Sequence, residues 1–215
     1  CYSIIGGGLT NCINGPGCSA IVGGCLNTVN GNNCFAFIGG GCCNCASAGS
    51  GRVGQVIVGG SCNVVCSNDG SILSGFKNYV SGNQSSVVGG VLNSASAFSS
   101  FVGGGCKNQA CASYSAVVGG QSNIASGACS FIGGGKCNLV SDTLSAVVGG
   151  ILNTASGACS FVGGGSNNCI NVKDSVIGGG VFNRITNTGP CSVIVGGATN
   201  CVTGGCSAII SGRFN

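Results

Sequence analysis

Ser115-Ala116-Val117-Val118-Gly119-Gly120-Gln121-Ser122-Asn123-Ile124-Ala125-Ser126-Gly127-Ala128-Cys129 is followed at Ser130 by the same pattern again. Aligning every such block on its Asn gives Asn11, Asn27, Asn44, Asn63, Asn78, Asn93, Asn108, Asn123, Asn138, Asn153, Asn168, Asn183, Asn200 and Asn215, fourteen copies over 215 residues. A copy of this size cannot bury a core by itself. Such a short period sustained along the whole chain is the mark of a solenoid held together by stacking. The sequence therefore reads as one continuous repeat domain over 1–215.

Two columns supply the core of the coil. Six residues before each Asn the residue is always Ile or Val, from Ile5 and Ile21 to Ile194 and Ile209. Two residues after it stand only aliphatic residues, among them Ile13, Val80, Ala125, Ile170 and Val202. Branched residues beside glycine-rich corners favour short strands over helices. Each coil is expected to hold two strands joined by two corners, in an all-β parallel β-solenoid of about 14 coils with 15 residues per coil. At a strand spacing of about 4.8 Å the rod would be roughly 65 to 70 Å long. The Gly three residues before each Asn is present in every copy, as a corner with positive φ or a close approach to the next coil requires. A phosphate loop would occur once, ahead of a helix and with a Lys, so that reading of the glycines fails.

The residues seven and five before each Asn share the other face of the first strand, because side chains alternate. Their sizes are complementary. Phe37, Phe101, Phe131 and Phe161 are followed two residues later by Gly39, Gly103, Gly133 and Gly163, whereas Ala116 and Ala146 are followed by Val118 and Val148. Volume matching of this kind belongs to a packed surface. The strand is thus apolar on both sides, and the Phe stripe is expected to be a subunit contact in a homo-oligomer, the alternative being a wide monomeric roll that buries both faces. The Asn column, typified by Asn78, Asn93, Asn108, Asn123, Asn138, Asn153 and Asn168, is expected to form a structural amide ladder. No Asn of the column begins a glycosylation sequon; the one sequon is Asn83-Gln84-Ser85.

Composition narrows the function. Charged residues are 5% of the chain, against about 25% in ordinary globular proteins. The net charge of +4 has no basic cluster behind it, which speaks against nucleic acid as a partner. The paired glycines interrupt every apolar run well short of the roughly 18 residues of a membrane span. His and Glu are absent and only Asp69, Asp142 and Asp174 are acidic, so no catalytic base, cofactor site or metal site is expected, and the chain reads as a non-enzyme. The chain starts at Cys1 and contains no Met, which suggests a removed leader or a segment of something longer.

Nineteen Cys point to an oxidising, extracellular setting. Cysteines of one column in successive coils fall within the Cα separation of a disulfide. Cys25 with Cys42, Cys43 with Cys62, and Cys191 with Cys206 meet that test. Zinc at Cys42, Cys43 and Cys45 lacks a second ligand pair and a His. Spacing between successive Asn is 16, 17 and 19 in the early coils, 15 from Asn63 to Asn183, then 17 and 15. Every insertion lies between the Asn and the next Ser. The longest of these loops, Cys45 to Gly54 with Arg52, is the candidate for recognition.

Written as Ala125-Ser126-Gly127 followed by Ser130-Phe131-Ile132-Gly133, the coil resembles the YadA-like head repeats of trimeric autotransporter adhesins and of phage and large-virus fibres. The resemblance covers essentially the whole chain on about five positions per coil. The chain differs in one extra residue per coil near the doubled Gly, in the Asn column and in its Cys content. The resemblance implies a left-handed parallel β-roll, three chains about one axis, and display at a cell or virion surface. The expected function is a structural, self-assembling, disulfide-stapled extracellular fibre or adhesin shaft, with possible end-to-end filament growth and a host-surface receptor or glycan as further partner. The alternative is a monomeric ice- or glycan-binding β-solenoid.

Overall fold

A computed structural model describes residues 2–15, 17–31, 35–47, 54–186 and 190–215. The recognition loop expected around Arg52 falls largely on 48–53, outside the described residues. The chain divides into two compact units, Cys1–Lys107 and Asn108–Asn215. Each is a parallel β-solenoid, and the described residues contain strands and no helix.

In the first unit one sheet runs through Ile4–Ile5, Ala20–Ile21, Phe37–Ile38, Val56–Ile57, Ser71–Ile72, Ser86–Val87 and Phe101–Val102, each strand parallel to the next. A second sheet runs through Cys12–Asn14, Thr28–Asn30, Cys45–Ser47, Val64–Val65, Tyr79–Val80 and Ser94–Ala95. The second unit repeats the arrangement. Its first sheet extends from Ala116–Val117 through Phe131–Ile132 to Ala208–Ile209, and its second from Gln109–Ala110 through Ile124–Ala125 to Cys201–Val202. The first strand position is filled fourteen times and the second thirteen, since the second strand follows its Asn and Asn215 is the last residue. The repeat thus makes about 13 turns rather than 14 complete coils.

Register follows the repeat. Val87 pairs with Val102 and Ala110 with Ala125, so every column of the sequence is a column in space. Ile38 and Ile57 pair in the same way although nineteen residues separate them. The extra residues of the long coils therefore leave the strands undisturbed. A third side, not anticipated, lies two residues before each Asn, where single residues bridge in parallel: Phe76 to Val91 to Cys106 in the first unit and Gln121 to Lys136 to Ile151 in the second.

The two aliphatic columns are the core. From Ile21 to Ile194 the first column is fully buried, and from Val29 to Val202 the second is buried as well. Ile5 departs from the expected pattern: in the first coil, covered on one side only, it is 46% exposed. Full burial of such side chains contributes about 1.5–3 kcal/mol each, so a coil is held chiefly by this pair of residues and their neighbours above and below.

The corners use backbone that the residue types do not advertise. The residue directly before each Asn has positive φ in every coil, including Leu26, Lys77, Leu92, Leu152 and Phe182 at 54–58°. The residue nine before the Asn does the same from Asp69 to Cys206, for example Tyr114 at 60° and Leu144 at 55°. A left-handed residue with a Cβ costs about 1–2 kcal/mol, so something must hold these corners. At the third left-handed position, three before the Asn, only glycine fits. Gly120 has φ of 90°, and a methyl there would run into the Gly135 carbonyl oxygen of the next coil.

Candidate functional site

The Asn side chain is what holds the corner. In the second unit Asn123 is fully buried, and its Nδ2 donates to Gly119 O at 3.0 Å and Gly135 O at 3.0 Å. Its Oδ1 accepts the backbone N–H of Asn138 at 2.9 Å. Asn138, Asn153 and Asn168 repeat the set, as do Asn63 and Asn78 in the first unit. Asn93 and Asn108 are likewise buried, with Nδ2 donating to Gly105 O and Gly120 O. Each amide thus ties its own glycine corner to the next coil, which offsets the left-handed residue beside it. From Asn27 to Asn200 the ladder is internal.

The outward side of the first sheet is the main exposed apolar surface. Phe37, Phe101, Phe131 and Phe161 are each 37–41% exposed. The Phe131 ring lies across Gly133, where a Cβ would sit 3.5 Å from ring carbon Cε1, and Phe161 lies over Gly163 in the same way. Phe131 is in register with Ala116 and Ala146, whose coils place Val118 and Val148 in the lane that Gly133 leaves empty. Rings and aliphatic side chains therefore alternate between two lanes and fill each other's gaps. Seven such side chains are exposed in the first unit, Ile4, Val22, Phe37, Val58, Leu73, Val88 and Phe101, and six in the second, Val118, Phe131, Val148, Phe161, Val195 and Ile210.

Exposed apolar pairs at the Asn corner were not legible beforehand. Leu92 in the first unit and Leu152 and Phe182 in the second stand outward on their left-handed backbone, beside Val91, Ile151 and Val181. The signal is present, because about half the copies are apolar at these two positions, but Lys, Cys and Ser interrupt the column. Two cations lie on rings here: Lys77 Nζ is 5.0 Å from the Phe76 ring centre, and Arg213 Cζ is 4.7 Å from that of Phe214.

All six cysteines expected to pair are free thiols in the structure. Cys25 and Cys42 come closest to the expectation, with Sγ atoms 3.4 Å apart, well beyond the ~2.05 Å of a disulfide. Cys43 Sγ is 3.3 Å from Cys42 Sγ, while Cys62 Sγ is directed to Ser61 Oγ at 3.5 Å. The two neighbouring thiols, Cys43 foremost and then Cys25, push the Cys42 thiol up to about 12. Among the described residues no group of His, Cys, Asp or Glu is arranged to hold a metal ion, and no pocket is present. No helix is long and apolar enough to cross a membrane. No protein-family model matches the sequence, and no curated protein matches it.

Proposed function

We propose that the chain is a structural element of an extracellular or virion-surface fibre, a self-associating shaft of the fibre or adhesin type in which the stripe of the first sheet meets identical chains. The observation that carries this reading is the interlocked, outward apolar face. Each half-exposed Phe or aliphatic side chain offers roughly 70–80 Å², so the stripe of each unit presents on the order of 500 Å², the size of apolar patch that marks an interaction site. An apolar face of this extent is costly to leave in water. Three chains about a common axis agree with the resemblance of the coil to YadA-like head repeats.

The second sheet supports the alternative. In the second unit Ser126, Ser141 and Ser156 follow its strands in three successive coils as a short row of hydroxyls, as an ice- or glycan-binding monomer would need. Ser126 and Ser156 hydroxyls, however, donate to Val140 O and Ile170 O of the next coil at 3.3 and 3.0 Å, so their donors are already engaged.

Sedimentation velocity on the chain at micromolar concentration separates the readings. The shaft reading expects an oligomer that dissociates on Phe131→Asp with Phe161→Asp while the far-UV circular dichroism stays that of the folded chain. A wild-type chain that sediments as a monomer would overturn it and leave the hydroxyl face as the surface to test.

A further inference from the structure

The corner around Cys42 brings three thiols together in the first unit. In the bridging column Leu9, Cys25, Cys42 and Ser61 follow one another in parallel register, so Cys25 and Cys42 are direct partners closed off by Leu9 on one side and Ser61 on the other. Their Sγ atoms are 3.4 Å apart. Cys43 approaches the same sulfur from within the chain at 3.3 Å, and its N–H is tied to Cys25 O at 3.0 Å. Cys42 is therefore the shared neighbour of two possible bonds.

Geometry chooses between them. Partners across a parallel bridge have Cα atoms about 4.8 Å apart, inside the ~4.4–6.8 Å range of disulfides. Adjacent residues hold their Cα atoms at about 3.8 Å, below that range, and a Cys42–Cys43 bond would strain the peptide between them. The third bond expected here, Cys43 with Cys62, is opposed by orientation, since one thiol faces Cys42 and the other Ser61.

We propose that Cys25 and Cys42 are an oxidative modification site that closes into a single inter-coil disulfide under a low-molecular-weight disulfide such as oxidised glutathione, leaving Cys43 as a free thiol beside it. The site stands on the thiol geometry alone and does not depend on self-association. Cys25 sulfur attacks the oxidant, forms a mixed disulfide and releases one small thiol. Cys42 sulfur then attacks Cys25 sulfur, gives up its proton and releases the second. Two protein thiols are oxidised and one small disulfide is reduced to two thiols. Once Cys25 carries the mixed disulfide, one of the two thiols that hold the Cys42 proton is gone, and Cys42, 3.4 Å from the Cys25 sulfur, is placed to resolve it.

The test treats the reduced full-length chain with oxidised glutathione, traps the remaining thiols with iodoacetamide, and maps the links by peptic digestion and tandem mass spectrometry. The expected result is a Cys25–Cys42 link with Cys43 alkylated. Cys43→Ser should retain that link, and Cys25→Ser should abolish it without transferring Cys42 to Cys43. Before oxidation Cys42 should be alkylated at pH 8 on the order of a hundredfold more slowly than a cysteine of ordinary pKa near 8.5. A link of Cys42 to any other cysteine, or Cys25 and Cys42 both remaining alkylatable once other cysteines have been oxidised, overturns the assignment. Mapping the wild-type chain decides the matter even where a variant does not fold.

Discussion

Replacing Asn123 by Ala should break one coil of the second unit, and the cost follows from the bonds it removes. Without the amide, the buried Asn138 N–H and the half-buried Gly119 carbonyl oxygen lose their partners, while Gly135 O keeps the N–H of Gln121 at 2.8 Å. The buried orphan costs about 1–3 kcal/mol and the half-buried one less, and the left-handed Ser122, with φ of 55°, loses support for a backbone that costs about 1–2 kcal/mol. The expected loss is about 3–5 kcal/mol, which lowers the urea midpoint by about 2 M at a slope near 2 kcal/mol/M. Asn123→Asp gives a sharper test. Its carboxyl can still accept from Asn138 N–H, but the second oxygen would face the Gly119 and Gly135 carbonyls, so the folded state favours the protonated acid. The folded pKa is then raised above the unfolded value of about 3.9, the folded state binds more protons, and stability falls as pH rises. The slope approaches about 1.4 kcal/mol per pH unit between the two pKa values. Far-UV circular dichroism in urea, at several pH values from 3 to 8, reads both variants. An Ala variant within about 0.5 kcal/mol of wild type, or an Asp variant whose stability does not change with pH, would refute the view that the amide ladder holds the corners.

Three further outcomes follow from single positions. Ser130 Oγ is buried without a partner, whereas Ser145 Oγ donates to Gly157 O at 2.7 Å and accepts from Ser160 N–H at 3.1 Å. Ser130→Ala should therefore be neutral or stabilising by up to about 1 kcal/mol, and Ser145→Ala destabilising by about 1–3 kcal/mol in the same urea assay. Leu152 sits at φ of 56° with its side chain exposed, so Leu152→Gly should raise stability by about 0–1 kcal/mol and Leu152→Val should lower it by about 1 kcal/mol; thermal unfolding of the pair checks the order. Gly133→Ala puts a methyl against the Val148 carbonyl oxygen and under the Phe131 ring. It should cost about 1–3 kcal/mol and, on the shaft reading, weaken self-association measured by sedimentation.

The parts of the fold that were legible in the sequence are those where one residue type is required in every coil. The Asn ladder, the glycine at φ near 90° and the branched core column each have a single chemical solution, so they repeat and can be read. The left-handed residues before the Asn were not legible, because the amide ladder stabilises that backbone for Leu92, Lys107 and Phe182 alike and leaves no residue preference behind. The third bridging side was hidden for the same reason: only backbone is exchanged there, and Leu9, Ser61 and Lys136 all serve. The apolar stripe was visible through the Phe131 and Gly133 pairing, a size relation between two columns. Sulfur positions were half visible. Column membership brought Cys25 to Cys42, but it could not show that Cys43 turns toward Cys42 and Cys62 toward Ser61.

The pairing of Ile38 with Ile57 across nineteen residues, beside Ile72 with Val87 across fifteen, separates two kinds of length in this chain. The span from the first strand through the Asn to the second strand is invariant, because any residue gained or lost there would shift the amide off its glycine. The arc that follows the second strand takes up the extra residues, because strand pairing keeps its register across the long coils while the buried serines before each first strand, such as Ser145 and Ser160, still bond from coil to coil. New peptide can thus enter that arc ahead of its buried serine without shifting the strands, and a whole fifteen-residue block can be added or removed as one piece. The molecule is in effect a rack with interchangeable shelves, on which variation accumulates along one edge while the frame stays the same.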